Sequence, residues 1–73
     1  MDPDANLRAQ RVICRALVRC DDRRDPITGA LRHEDVEEYQ RDASNLAELV
    51  QALDLWLSKG GSLPRPWQPK VQA

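Results

Sequence analysis

Apolar residues recur along the first part of the chain at the spacing of a single helix face. Ala9, Ile13, Ala16 and Cys20 step by four, three and four, and Leu17 joins them, which at 100° per residue gathers all five on one side. Asp2 followed by Pro3 marks a start, because a carboxylate accepts from the first free amides and proline tolerates the first helical position. A first helix is therefore expected over about residues 3–22. Its seam consists mostly of small residues, which lets a partner helix approach to near the short end of the usual ~8–10 Å axis separation. Leu7, Cys14 and Val18 form a second apolar strip, about 100–140° from the first. One neighbouring helix cannot cover both.

Residues 23–32 interrupt this pattern. Asp25-Pro26 disfavours helix before the proline and Gly29 supplies a permissive turn. Ile27 and Leu31 are expected to fold back onto the end of the helical pair, since each gains about 1.5–3 kcal/mol if buried. His33-Glu34-Asp35 reopens helix, with acids placed against the positive end of the dipole. From there Val36, Tyr39, Ala43, Leu46, Val50, Leu53 and Leu57 form an unbroken heptad seam, with Leu49 and Trp56 widening one flank. Asp42-Ala43-Ser44-Asn45 contains poor helix formers, and Asn45 with Glu48 resembles a capping box. The second helix, expected over about 33–58, is read as continuous, with Ser44 as the place where a break would fall. Lys59-Gly60-Gly61 stops it.

After the glycines, Pro64, Pro66 and Pro69 favour an extended tail, with Leu63 and Trp67 expected to pack near Trp56. The fold class is all-α: an antiparallel two-helix hairpin over residues 1–61 and a proline-rich tail over 62–73, forming a helical bundle by self-association. Pairing two such hairpins would make a four-helix bundle.

Size sharpens the expectation of a partner. At 73 residues a single apolar core barely offsets ordering entropy. Eleven Lys and Arg against twelve Asp and Glu leave a net charge of -1, so the whole chain exerts no global attraction on a polyanion. The distribution is uneven. Residues 1–24 hold six arginines against four aspartates, whereas residues 33–58 hold seven acids against Arg41 alone. Cys14 and Cys20 lie about 9 Å apart along one helix and cannot bond to each other. With His33 as the single histidine there is no metal-ligand spacing. The thiols are read as packing groups, and neither metal nor cofactor is expected. No apolar run could span a bilayer and no signal-peptide pattern opens the chain, so the expected location is the cytoplasm, that of the host if the protein is phage-encoded.

Candidate chemistry is sparse. Glu34, Asp35, Glu37, Glu38 and Asp42 occupy the outer face and first turn of a helix, where solvation accounts for them. His33 is a helix-start residue, and nothing places a nucleophile beside a base or a glycine loop around a phosphate. No enzyme is expected. Pro66-Trp67-Gln68-Pro69 has the minimal Pro-x-x-Pro spacing, too short to be specific. More informative is the row Arg8, Arg11, Arg15 and Arg19, which falls within about 80° of arc. Its first reading is a solvated flank that pairs with Glu48 and Asp54 of the antiparallel helix. Its others are a grip on an acidic protein or on phosphates. Leu7, Cys14 and Val18, with Leu55 on the outer face of the second helix and Arg11 and Arg15 at the rim, form the expected protein interface. The function expected is that of an intracellular interaction module, binding a host protein or a second copy. The alternative is a nucleic-acid-binding accessory or regulatory factor using Arg8, Arg11, Arg15 and Arg19, which the acidic second helix opposes.

The run Leu53-Asp54-Leu55-Trp56-Leu57-Ser58-Lys59-Gly60-Gly61-Ser62-Leu63-Pro64, followed by Trp67, resembles a segment of small uncharacterised proteins of actinobacteria and their phages, with the pattern Leu-Asp-x-Trp-Leu-x-x-Gly-Gly-x-Leu-Pro-x-x-Trp. The resemblance covers residues 46–67, less than a third of the chain. It implies a small intracellular accessory protein of a bacterium, a phage or another mobile element, and it names no activity and no active-site residues.

Overall fold

Helix boundaries follow from local chemistry. In the computed structural model, which describes residues 1–69, α1 spans Pro3–Asp22 and α2 spans His33–Ser58. Asp2 stands outside α1 with extended backbone, and its Oδ1 accepts from the amides of Asp4 at 3.0 Å and Ala5 at 3.1 Å. Helix α2 starts at Arg32 without a side-chain cap, with Glu34 and Asp35 in its first turn. It runs unbroken past Ser44, so Asn45 and Glu48 form no internal cap. At its end Gly60 takes φ of 88°, and the amides of Gly60 and Gly61 donate back to the carbonyls of Leu57 and Trp56. This is the left-handed glycine closure that satisfies the last free acceptors of a helix.

The two helices pack against each other as an antiparallel hairpin. Two side chains of α1 set the register. Asn6 Nδ2 donates to the carbonyl of Leu49 at 3.0 Å, and the Cys20 thiol donates to that of Asp35 at 3.7 Å. Donors fourteen residues apart on α1 thus reach carbonyls fourteen residues apart on α2, about 21 Å of helix on each side. Both donors are buried. The same register sets Ala9 level with Leu46 and Ala16 level with Tyr39, small against large. Ala9, Ile13, Ala16 and Leu17 are half-buried, as are Val36, Tyr39, Ala43, Leu46 and Leu57, and Leu53 is buried.

Val50 departs from the expected seam, with 48% of its surface exposed. A heptad stripe is two residues wide, and a lone partner helix with alanines at facing positions covers only its centre, Leu46 and Leu53. Val50 lies on the edge, beside Gln10 and Trp67.

The connecting loop is held by its own backbone. Asp25 Oδ1 accepts from the amides of Ile27 at 2.8 Å and Thr28 at 3.2 Å, and Gly29, with φ of 72°, donates to the Asp25 carbonyl at 2.8 Å. Arg24 braces the turn through the Gly29 carbonyl, and its guanidinium lies over the Tyr39 ring. Inside so tight a turn Ile27 has no route back to the helices. It stands 93% exposed, contrary to the packing expected for it, whereas Leu31 is half-buried.

The tail turns back over the open end of the hairpin. Trp56 Nε1 donates to the Ser62 carbonyl at 2.9 Å, and a Cβ at Gly61 would overlap the indole, so only glycine admits this approach. Pro64 is fully buried. Arg65–Trp67 forms a single 3-10 turn instead of continuing extended. Leu63 and Trp67, expected beside Trp56, are 40% and 45% exposed. Trp67 borders Gln10, Val50 and Leu57 on α1 and α2. The last residues of the expected tail, 70–73, lie outside the described residues.

Two outcomes follow from this arrangement. Asn6→Ala removes a buried donor and lowers stability by about 1–3 kcal/mol in urea unfolding. The Asp25 carboxyl is held below the usual range, chiefly by the amides of Ile27 and Thr28. Its contribution is therefore complete above the unfolded value of ~3.9 and is lost as pH falls through the lower folded value. Titration of the Asp25 side-chain carbon by NMR should show a midpoint under that of an unstructured aspartate, and a midpoint at or above it would mean that the turn does not form.

Candidate functional site

The face of α1 that meets α2 is centred on Asn6, Ile13, Leu17 and Cys20, which places Arg8, Arg11, Arg15 and Arg19 on the opposite, outward side. All four are exposed. Among the described residues no ion pair reaches any of them. The pairing with Glu48 and Asp54 therefore does not form. Antiparallel packing brings Glu48 near the height of Arg8 but leaves Asp54 about 10 Å beyond it, and the arginines project away from α2. The pairs that do form across the hairpin cluster at the loop, where Arg23 meets Asp35 at 3.3 Å and Glu38 at 3.9 Å. Asp35 is the main reason why the Arg23 pKa is raised.

A fifth arginine joins the row from the far end of the chain. The Arg65 amide donates to Asp4 Oδ1 at 2.6 Å, and its Nε lies 3.6 Å from Asp4 Oδ2. Arg65 and Pro66 thereby close one side of a groove of about 340 Å³, whose other walls are Leu7, Arg8, Arg11 and Arg15. Asp4 is the single carboxylate in its lining. Four guanidiniums and one carboxylate thus share one concavity.

The groove also explains Leu7. Placed on the uncovered strip by helix projection, it is 5% exposed, because the returning tail roofs the first turns of α1. Leu7 is part of the fold and not of an open surface. Cys14 and Val18 remain exposed and, with Arg15 and Arg19, line a shallow, mainly apolar depression of about 330 Å³. Arg15 belongs to both concavities. The outward face of α1 therefore unites Arg11, Cys14, Arg15 and Val18 of the expected interface. Leu55 is exposed but faces away on α2, on the other side of the two-helix layer, and cannot join them. Val12, on the far flank of the arginine row and 57% exposed, is an apolar member of this face that the sequence pattern did not single out.

Other chemistry is thin. Among the described residues no group of three or more His, Cys, Asp or Glu could hold a metal ion, and no helix is long and apolar enough to cross a membrane. Both cysteines are free, Cys14 exposed and Cys20 buried. The expected packing role thus fits Cys20 alone.

Unequal thiol exposure gives a direct check of the α1 orientation. A thiol reagent should modify one cysteine, Cys14, quickly in the native protein and the second only on unfolding, and mass mapping that finds Cys20 labelled first would contradict the packing. In comparisons with known proteins, no family model, curated protein or solved structure matches the chain.

Proposed function

We propose that this protein is a protein-protein interaction module that presents the outward face of α1 to an acidic surface on another protein. The observation that carries the reading is that Arg8, Arg11, Arg15 and Arg19 have no ion-pair partner within the described fold while the neighbouring Cys14 and Val18 stay uncovered. Apolar area flanked by guanidiniums is the composition of an interface core with a charged rim. Charge also argues about the partner. Two copies meeting through this face would oppose their arginine rows, and like charges in register raise the cost of association. A copy presenting the acidic outer face of α2 would make a head-to-tail contact, which closes only when the rotation between copies completes a ring and otherwise extends into a filament. An acidic heterologous partner has neither difficulty. In the cell the chain would act in the cytoplasm by binding, as a small accessory factor of a bacterium or a phage.

Nucleic-acid binding is the second reading, and the arginines left unneutralised by α2 favour it. It leaves Cys14, Val18 and Val12 without a role, and its binding would weaken steeply with salt as counterions are released.

Cys14 permits a test. A photoreactive maleimide at this thiol should crosslink a protein in an extract of the source organism. The adduct should disappear with Arg11→Glu/Arg15→Glu, and a probe on Leu55→Cys in a Cys14→Ser background should give none. An adduct indifferent to charge reversal, or one to nucleic acid alone, would refute the reading. Light scattering on the purified chain should report a monomer mass.

A further inference from the structure

The geometry points to a specific recognition element within that face: we infer that Arg8, Arg11, Arg15 and Arg65 form a cradle for paired carboxylates on an acidic, amphipathic segment of the partner, whose apolar side chain seats between Cys14 and Val18. This deepens the proposed function and rests on α1 being the docking face.

Four features of the molecule support it. The concavity gathers four guanidiniums from two segments that are 50 residues or more apart in the chain, around one carboxylate. Asp4 engages only Arg65, through the backbone amide and the guanidinium, so the cationic charge of Arg8, Arg11 and Arg15 is left over. One incoming carboxylate would leave two of these three charges unmatched, whereas a pair leaves only one, each accepting a forked pair of N–H bonds in the way that makes arginine suited to carboxylates. One carboxylate is already seated at the end of the groove, where Asp4 accepts from the Arg65 amide and lies 3.6 Å from its guanidinium Nε.

The apolar depression supplies the second half of the argument. It adjoins the groove through their shared Arg15, and its centre lies about 10 Å further along α1, at 1.5 Å per residue. A helical ligand spans that distance in six to seven residues. Glutamates at i and i+4 with a leucine at i+8 would therefore meet the arginines and the depression from one face. A phosphate chain would satisfy the groove but would place a charged backbone over Cys14 and Val18, so the occupant is an acidic protein segment and not a nucleic acid.

Arg65 separates this inference from a plain basic helix. Fluorescence anisotropy with a labelled helical peptide carrying Glu at i and i+4 and Leu at i+8 should show binding to the full chain. Arg8→Gln and Arg65→Gln should each weaken it about tenfold, and Arg41→Gln, which removes an exposed charge on α2, less than twofold. Replacing the two glutamates by glutamine should have the same effect as the groove variants. Circular dichroism of each variant confirms the helices. If Val18→Asp weakens binding but Arg8→Gln and Arg65→Gln do not, the cradle is refuted while the docking face stands. If none of the three does, both fail. No binding of the peptide to the unaltered chain at millimolar concentration overturns the cradle. A short single-stranded oligonucleotide that binds more tightly than the peptide and depends on the same arginines replaces it with the nucleic-acid reading.

Discussion

The hairpin depends on two hydrogen bonds that cross it. Asn6 and Cys20, four turns apart on α1, each donate a side-chain proton to a carbonyl of α2. A helix carbonyl that already accepts its own backbone amide has a second lone pair, so these bonds add to α2 without taking a bond from it. A two-helix interface of alanines and leucines is smooth, and hydrophobic contact alone would tolerate a slip of one turn. Buried polar donors narrow the choice: Asn6 would incur the cost of an unsatisfied buried group in any register that offered it no carbonyl, and the weaker Cys20 thiol donor adds a smaller preference. Gln10 completes the arrangement by donating to Asn6 Oδ1 at 2.6 Å, and no described buried side-chain polar atom lacks a partner.

From that register follows the division of the surface. Because α1 turns Asn6, Ile13, Leu17 and Cys20 inward, its arginines must face outward, where α2 cannot reach them. The acids of α2 are likewise left to solvent, except at the loop end, where Arg23 closes on Asp35 and Glu38. The molecule is thereby polarised, with a basic side and an acidic side. With a net charge of only -1, it carries local fields that an averaged charge conceals.

Helix α1 covers one strip of α2, and the rest of the covering is done by the tail. By returning over the N-terminal turns, residues 61–67 bury Pro64, enclose Leu7 and bring Arg65 to Asp4. The glycine that ends α2 is followed by one whose missing side chain lets Trp56 lie against the backbone. The same segment thus terminates a helix, shields an otherwise open leucine and builds one wall of the arginine groove. Helix termination, core cover and groove wall meet in one turn of chain.

Much of the architecture is written locally. Asp2-Pro3, the loop at Asp25-Pro26 and the glycine pair at 60–61 determine where helices begin and end, because capping and left-handed turns depend on neighbours in sequence. The alanine-rich seam of α1 and the heptad stripe of α2 likewise identify the faces that meet. Periodicity says which side of a helix is apolar, but not what will cover it. Leu7 and Val50 show the difference: the first is covered by a tail 57 residues away and the second is left open by a partner too narrow to reach it. Hydrophobicity predicts a packing role for Ile27, yet the Asx turn around Asp25 decides that it points outward. The arginine row on α1 was legible as a stripe. Its lack of partners depends on the helix orientation that Asn6 and Cys20 impose, and Arg65 belongs to the groove only because the tail folds back, a contact between distant residues that no local spacing encodes.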